Sequence, residues 1–191
     1  MFEQDVKAFL RDKQITFHDG TKSTSALDFF LPRYNIHFDV KEKTQAFSLK
    51  NWSEATAPQE DLFIMDDLAA RKLLRCAPLS FCIIRDSSNP PVMYYVYSVV
   101  DLMCVPKKRV RRPIARSVKT FKGKWMLNLR DAAAFDSLAD AMKYMLSYNK
   151  KFPAIFGEHI DCWGRYPSEQ IPVSGGTRTP THWQKDSRLH S

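Results

Sequence analysis

Two carboxylates and an amine stand out of a largely apolar stretch near the start of the chain. The run Ala26-Leu27-Asp28-Phe29-Phe30-Leu31-Pro32-Arg33-Tyr34-Asn35-Ile36-His37-Phe38-Asp39-Val40-Lys41 has strand-like spacing on both sides of a turn. Side chains two apart in a strand share a face, so Asp39 and Lys41 point one way while Val40 points into a core. Pro32-Arg33-Tyr34-Asn35 carries turn chemistry between an apolar run and the β-rich run Ile36 to Val40. A hairpin over that turn returns Asp28 to the side of Asp39.

Further along, a polar linker over 53–60 contains Ala57-Pro58. Leu62, Met65, Leu68, Ala69 and Leu73 then recur at helical spacing and predict a helix over 61–75, with Asp66 or Asp67 capping its second half. Leu79 to Arg85 reads as a buried strand, stopped by the turn Asp86-Ser87-Ser88-Asn89-Pro90-Pro91. Val92 to Cys104 is rich in β-branched and aromatic residues and predicts another strand, as does Trp125 to Leu129. Phe135, Leu138, Ala139, Met142, Met145 and Leu146 describe an amphipathic helix capped by Asp136 or Ser137. Residues 152–163 fit no single pattern, and beyond Ile171 the periodicity is lost, as expected of a flexible tail over 171–191.

At 191 residues and 44% hydrophobic, the chain suits one domain with a real core, placed at 1–170. Acids at Glu3 and Asp5 stand where a signal peptide would turn apolar, and the longest apolar stretch, Val92 to Val100, is too short to cross a bilayer. The expectation is a cytoplasmic protein with no membrane partner. Cysteines 76, 82, 104 and 162 have no paired spacing and read as reduced, partly buried thiols. His159-Ile160-Asp161-Cys162 lacks the further ligands of a zinc site.

Net charge is +8, and its location changes the picture. Lys107, Lys108, Arg109, Arg111, Arg112, Arg116, Lys119, Lys122, Lys124 and Arg130 fall in an acid-free stretch between Asp101 and Asp131. Those ten of 29 basic residues leave 19 against 21 acids elsewhere, so the whole positive excess lies in one element over 105–130. Concentrated charge of that kind fits a surface that tracks phosphates, whereas the bland reading is a solvated basic loop. Pro106 and Pro113 keep it out of a regular helix, as in a loop or ribbon gripping a backbone through Lys107, Lys108, Arg109, Arg111 and Arg112. Lys43 continues the face of Asp39 and Lys41 and joins that set of nucleic-acid-binding candidates.

The order Asp28, turn, Asp39-Val40-Lys41 resembles the PD-(D/E)xK nuclease superfamily, whose members have the restriction-endonuclease-like fold. There an acid opens the second core strand and an acid-x-Lys triplet lies on the third. The resemblance extends upstream: Phe2 to Leu10 looks like the first core helix, with Glu3 as its site-facing glutamate, and Ile15 to His18 looks like the first strand. Residues 1–50 match in order. Leu27 stands where the superfamily's title has proline. The resemblance implies an α/β fold: an αβββαβ core with a mixed central sheet flanked by helices, here extended by extra strands and a C-terminal helix.

It also implies a chemistry. Asp28, Asp39, the main-chain carbonyl of Val40 and Glu3 would hold Mg²⁺, for which Mn²⁺ substitutes. Magnesium takes hard oxygen ligands and keeps waters. Lys41 would orient the attacking water and stabilise charge building on the phosphate. The expected activity is that of a metal-dependent DNA endonuclease, of junction-resolving, repair or mobile-element type, with a size that fits the small basic homodimers among resolvases. The alternative is a non-catalytic nucleic-acid-binding protein in which the Asp/Lys face is structural and the basic segment makes the contacts. RNA as substrate is a third, weaker option, because no exposed aromatic RNA-recognition motif is present.

Overall fold

In the computed structural model, which describes residues 1–113 and 121–148, these patterns resolve into a mixed α/β architecture. Helix α1 (Phe2–Asp12) buries Phe2, Val6 and Leu10 as one stripe at helical spacing. Lys7 shares the stripe because its ammonium reaches Asp19 at 2.7 Å and Thr21 Oγ1 at 3.0 Å. Strands β1 (His18–Asp19), β2 (Phe29–Leu31) and β3 (Ile36–Lys43) follow as an antiparallel meander. A 3-10 turn over Pro32–Tyr34 joins β2 to β3. Proline presets the first φ, and Asn35 leaves the turn in the left-handed region at φ 51°.

Next come β4 (Leu62–Asp66), α2 (Asp67–Arg75), β5 (Ser80–Asp86), β6 (Met93–Ser98), α3 (Val99–Cys104), β7 (Lys108–Pro113), β8 (Phe121–Asn128) and β9 (Ala133–Phe135). Residues 138–148 are helical. The strands make two sheets, one of six in the order β1-β2-β3-β5-β6-β9 and one of three in the order β4-β8-β7. Strands β3 and β5 run parallel and every other neighbouring pair is antiparallel. The larger sheet is therefore mixed.

Helix α2 touches β3 and β5 of one sheet and β4 and β8 of the other. Its Ala69, Ala70 and Leu73 pack with Phe63, Met65, Cys82, Ile84 and Leu127 in the intervening core. Two alanines in succession let the helix approach closely. Helix α1 covers the opposite face of the larger sheet. Its Asp5 pairs with Arg85, and Arg85 pairs with Glu42, whose side chain alternates away from those of Asp39 and Lys41. Met1–Leu146 form one compact unit and Ser147–Ser191 a second, of which residues 147 and 148 alone are described.

Several boundaries differ from the sequence expectation. The helix over 61–75 is a strand as far as Asp66 and a helix from Asp67. Leu62 and Met65 bury on opposite sides of the smaller sheet, so their helix-like spacing reflects a strand with two covered faces. The strand over 92–104 ends at Ser98, whose Oγ accepts from the Asp101 N–H and caps α3. Phe135 belongs to β9 rather than to the helix that follows. The first strand, expected over 15–18, is the pair His18–Asp19. The basic segment is a ribbon, β7 against β8. Cys104 is exposed rather than partly buried. Arg116, Lys119, Cys162, the stretch 152–163 and the tail lie outside the described residues.

Candidate metal centre

The β2–β3 register pairs Phe29 with Phe38, which sets Asp28 beside Asp39 one step further on. Two contacts fix Asp28. Its main-chain carbonyl accepts from the Gly20 N–H at 2.8 Å, and its Oδ2 accepts from the Val40 N–H at 2.9 Å. Gly20 is required there, since a Cβ would fall 2.2 Å from the Leu27 carbonyl oxygen. Lys41 Nζ then lies 2.5 Å from Asp39 Oδ2, 3.7 Å from Asp28 Oδ2 and 3.1 Å from the Val40 carbonyl, to which it donates. One ammonium thus sits among three oxygens.

The electrostatics of this cluster are strained in a useful direction. Burial and the neighbouring Asp28 carboxylate push the Asp39 carboxyl up to about 7, although Lys41 pulls it down. Burial opposes the charge on Lys41, yet Asp39 beside it holds the ammonium above its usual range. A carboxyl poised near neutrality in a cleft is the kind of perturbation that functional sites carry. The cleft measures about 240 Å³, and Asp28, Asp39 and Lys41 line it with Asp66, Lys72 and Lys124.

The other sequence candidates have different surroundings. Glu3 lies on α1, the helix that covers the far face of the sheet, and does not line this cleft. Lys43 is not available to a phosphate. Its side chain is 0% exposed, it pairs with Asp86 at 2.7 Å, and it donates to the Glu60 carbonyl. Among the basic residues, Lys107 donates to the Met103 carbonyl, Arg109 pairs with Asp67, and Arg112 pairs with Glu54 over the ring of Trp52. Lys108 and Arg111 are exposed and have no ion-pair partner among the described residues.

Sequence reading missed three contributors. Asp66 ends β4, caps no amide of α2 with its side chain, and faces the cleft paired with Lys124 of β8. The period misread over 61–75 hid it. Lys124 was seen only as one of ten basic residues. Lys72 sits on α2 at i+4 from Leu68, the spacing that turns both toward the cleft, and no sequence motif marks it. The adjacent Asp67 is a different case. Trp125, Arg109 and Arg71 saturate it, and it packs so tightly on Gly123 that a Cβ there would meet its own at 2.7 Å.

Two carboxylates and a carbonyl converging on one cation are hard donors of the kind magnesium and manganese take. Among the described residues, no cluster of three or more His, Cys, Asp or Glu side chains has metal-binding geometry. The donor set is therefore two side chains and one main-chain oxygen, with room for water. No family model, curated protein or solved structure matches the chain.

Proposed function

We propose that the chain is a metal-dependent nuclease of the PD-(D/E)xK type that cleaves DNA in the cleft bounded by Asp28, Asp39 and Lys41. One observation carries the reading: the Lys41 ammonium is held by Asp39, Asp28 and the Val40 carbonyl, the three groups that would ligate the divalent ion. An ammonium is a fair electrostatic stand-in for a cation that those oxygens are arranged to hold. The element order supports the same reading. With β4 set aside in its own sheet, α1, β1, β2, β3, α2 and β5 run as αβββαβ, and β5 returns parallel to β3.

Bound there, magnesium supplies Lewis acidity and a water of lowered pKa. The protein does the rest. The Val40 N–H fixes one oxygen of Asp28 and so aims the carboxylate into the cleft. Lys41, 35% exposed, can turn from its resting partners toward a phosphate oxygen or the attacking water, where a positive charge stabilises the developing anion. Lys72, which has no ion-pair partner among the described residues, lines the same cleft and adds positive potential for a polyanion, whereas Lys124 is paired with Asp66. Exposed Lys108 and Arg111 on the β7–β8 ribbon offer contacts to backbone phosphates without sequence selection.

The test is cleavage of supercoiled plasmid and branched DNA in Mg²⁺ or Mn²⁺. Nicking or linearisation that stops with EDTA and is absent from Asp28→Ala, while DNA binding persists, supports the proposal. Activity unchanged in Asp28→Ala places the chemistry elsewhere. The second reading, binding without cleavage, draws on the absence of Glu3 from the cleft. It predicts EDTA-resistant binding, steep in salt, and no cleavage of any DNA.

A further inference from the structure

The face of β3 that carries Asp39 and Lys41 also carries His37, two residues earlier and so roughly 7 Å along the strand. His37 is opposite Phe30 of β2, and Phe30 is opposite His18 of β1. Their rings form a continuous tier. Phe30 and His37 stack at 4.2 Å and 15°, and His18 meets Phe30 at 5.5 Å.

This tier is not core. On the other face of the same two strands, Phe29 and Phe38 also stack, at 4.9 Å and 18°, and both are 0% exposed. Phe30 and His37 are half-buried, His18 is exposed, and all three line a cleft of about 320 Å³. Lys72 and Arg75 of α2 border it from above. Neither has an ion-pair partner among the described residues, although six other Lys and Arg side chains of the first 113 residues are paired across the fold. Asp19, the acid on the rim, is neutralised by Lys7 and bonded to Thr21. Lys72 borders both this cleft and the Asp28/Asp39 cleft, so the two are neighbours.

Phe30 and His37 cover each other's faces, so the row ends in one exposed ring, His18, on which a nucleobase can stack with the unpaired cations Lys72 and Arg75 near its phosphate. A base inside a duplex has both faces covered by its neighbours, so only an unpaired base can stack on that ring. We propose that His18, Phe30 and His37, with Lys72 and Arg75, form a subsite for an unpaired nucleotide next to the cut phosphate. The substrate is then DNA with a single-stranded or splayed segment at the cleavage point. This inference rests on the nuclease reading for the identity of the neighbouring cleft, and the subsite itself can be tested apart from cleavage.

The full-length chain is titrated, in EDTA, into a single-stranded oligonucleotide containing 2-aminopurine and, separately, into the matching duplex. The proposal expects stacking to quench the single-strand fluorescence. His18→Ala and Arg75→Ala should each weaken single-strand binding, His18→Ala by about tenfold, the scale of one lost base–aromatic stack. Duplex binding should hold, and the quench should vanish in His18→Ala. Phe30→Leu removes the ring that backs His18 and should weaken the quench in part, and His18→Ala, at an exposed edge position, decides the matter should Phe30→Leu fail to fold. Unchanged single-strand binding in folded variants, or an equal loss on both DNAs, overturns the subsite. Plasmid cleavage that survives beside unaltered single-strand binding would retain the nuclease and discard the subsite. Variant-sensitive quenching in a protein that cuts no DNA would retain the subsite and discard the nuclease.

Discussion

Lys41 and Lys43 leave the same face of β3 two residues apart, and their surroundings give them opposite characters. Lys41 opens onto a cleft and rests between two carboxylates, one of which is pushed up to about 7. Two residues on, Lys43 is sealed between Asp86 and the Glu60 carbonyl, and the second oxygen of Asp86 is taken by Ser88. The first arrangement can exchange partners, because solvent and a ligand can reach it. The second is complete and can only be broken. Chemistry needs the exchangeable pair, and the sealed pair anchors the strand that carries it.

The sharpest break between the two lysines is in the proposed cleavage. Asp39→Asn and Asp28→Asn should each reduce magnesium-dependent plasmid cleavage on the order of a thousandfold or more, because each removes a charged ligand of the proposed metal. Their urea midpoints should hold or rise, since one of two crowded carboxylates is neutralised. Lys43→Met should do the reverse. Leaving Asp86 buried without its ammonium destabilises by roughly 3–5 kcal/mol, read as a lower urea midpoint, while the folded fraction cleaves at the normal rate.

The pH dependence sharpens the same contrast. Burial pushes the Asp39 carboxyl up to about 7 in the folded chain, against the ordinary 3.8 of an unfolded aspartate. Between those values the folded chain holds the extra proton, so in EDTA stability is greatest below about pH 4 and falls as pH rises through about 7 for this group. Asp39→Asn should flatten that slope in urea titrations at a series of pH values. Metal binding needs the ionised acid, so cleavage should climb through the same window. The smallest effects belong to the ribbon. Arg111→Ala and Lys108→Ala should each lower the salt dependence of DNA binding by about one phosphate contact. Arg109→Ala should move it less, because Arg109 is held by Asp67.

The hairpin was legible because period-2 alternation, a proline turn and an apolar frame all point to one geometry, and Asp28, Asp39 and Lys41 meet as that geometry requires. Lys43 was misjudged because alternation gives the face and not the depth at which it is covered. That depth comes from Glu60 and Asp86, 17 and 43 residues away. Asp66 was hidden because a strand buried on both sides and a helix can share the same apolar spacing. The tier of His18, Phe30 and His37 depends on the register of three strands, which no local pattern declares.

The most direct measurement is an anomalous difference map from a crystal of the full chain soaked in Mn²⁺ above pH 7. A peak bonded to Asp28, Asp39 and the Val40 carbonyl, with the Lys41 ammonium displaced from between them, is the predicted result. Ordered, solvent-accessible carboxylates with no peak, and Lys41 still seated among the three oxygens, would contradict the account.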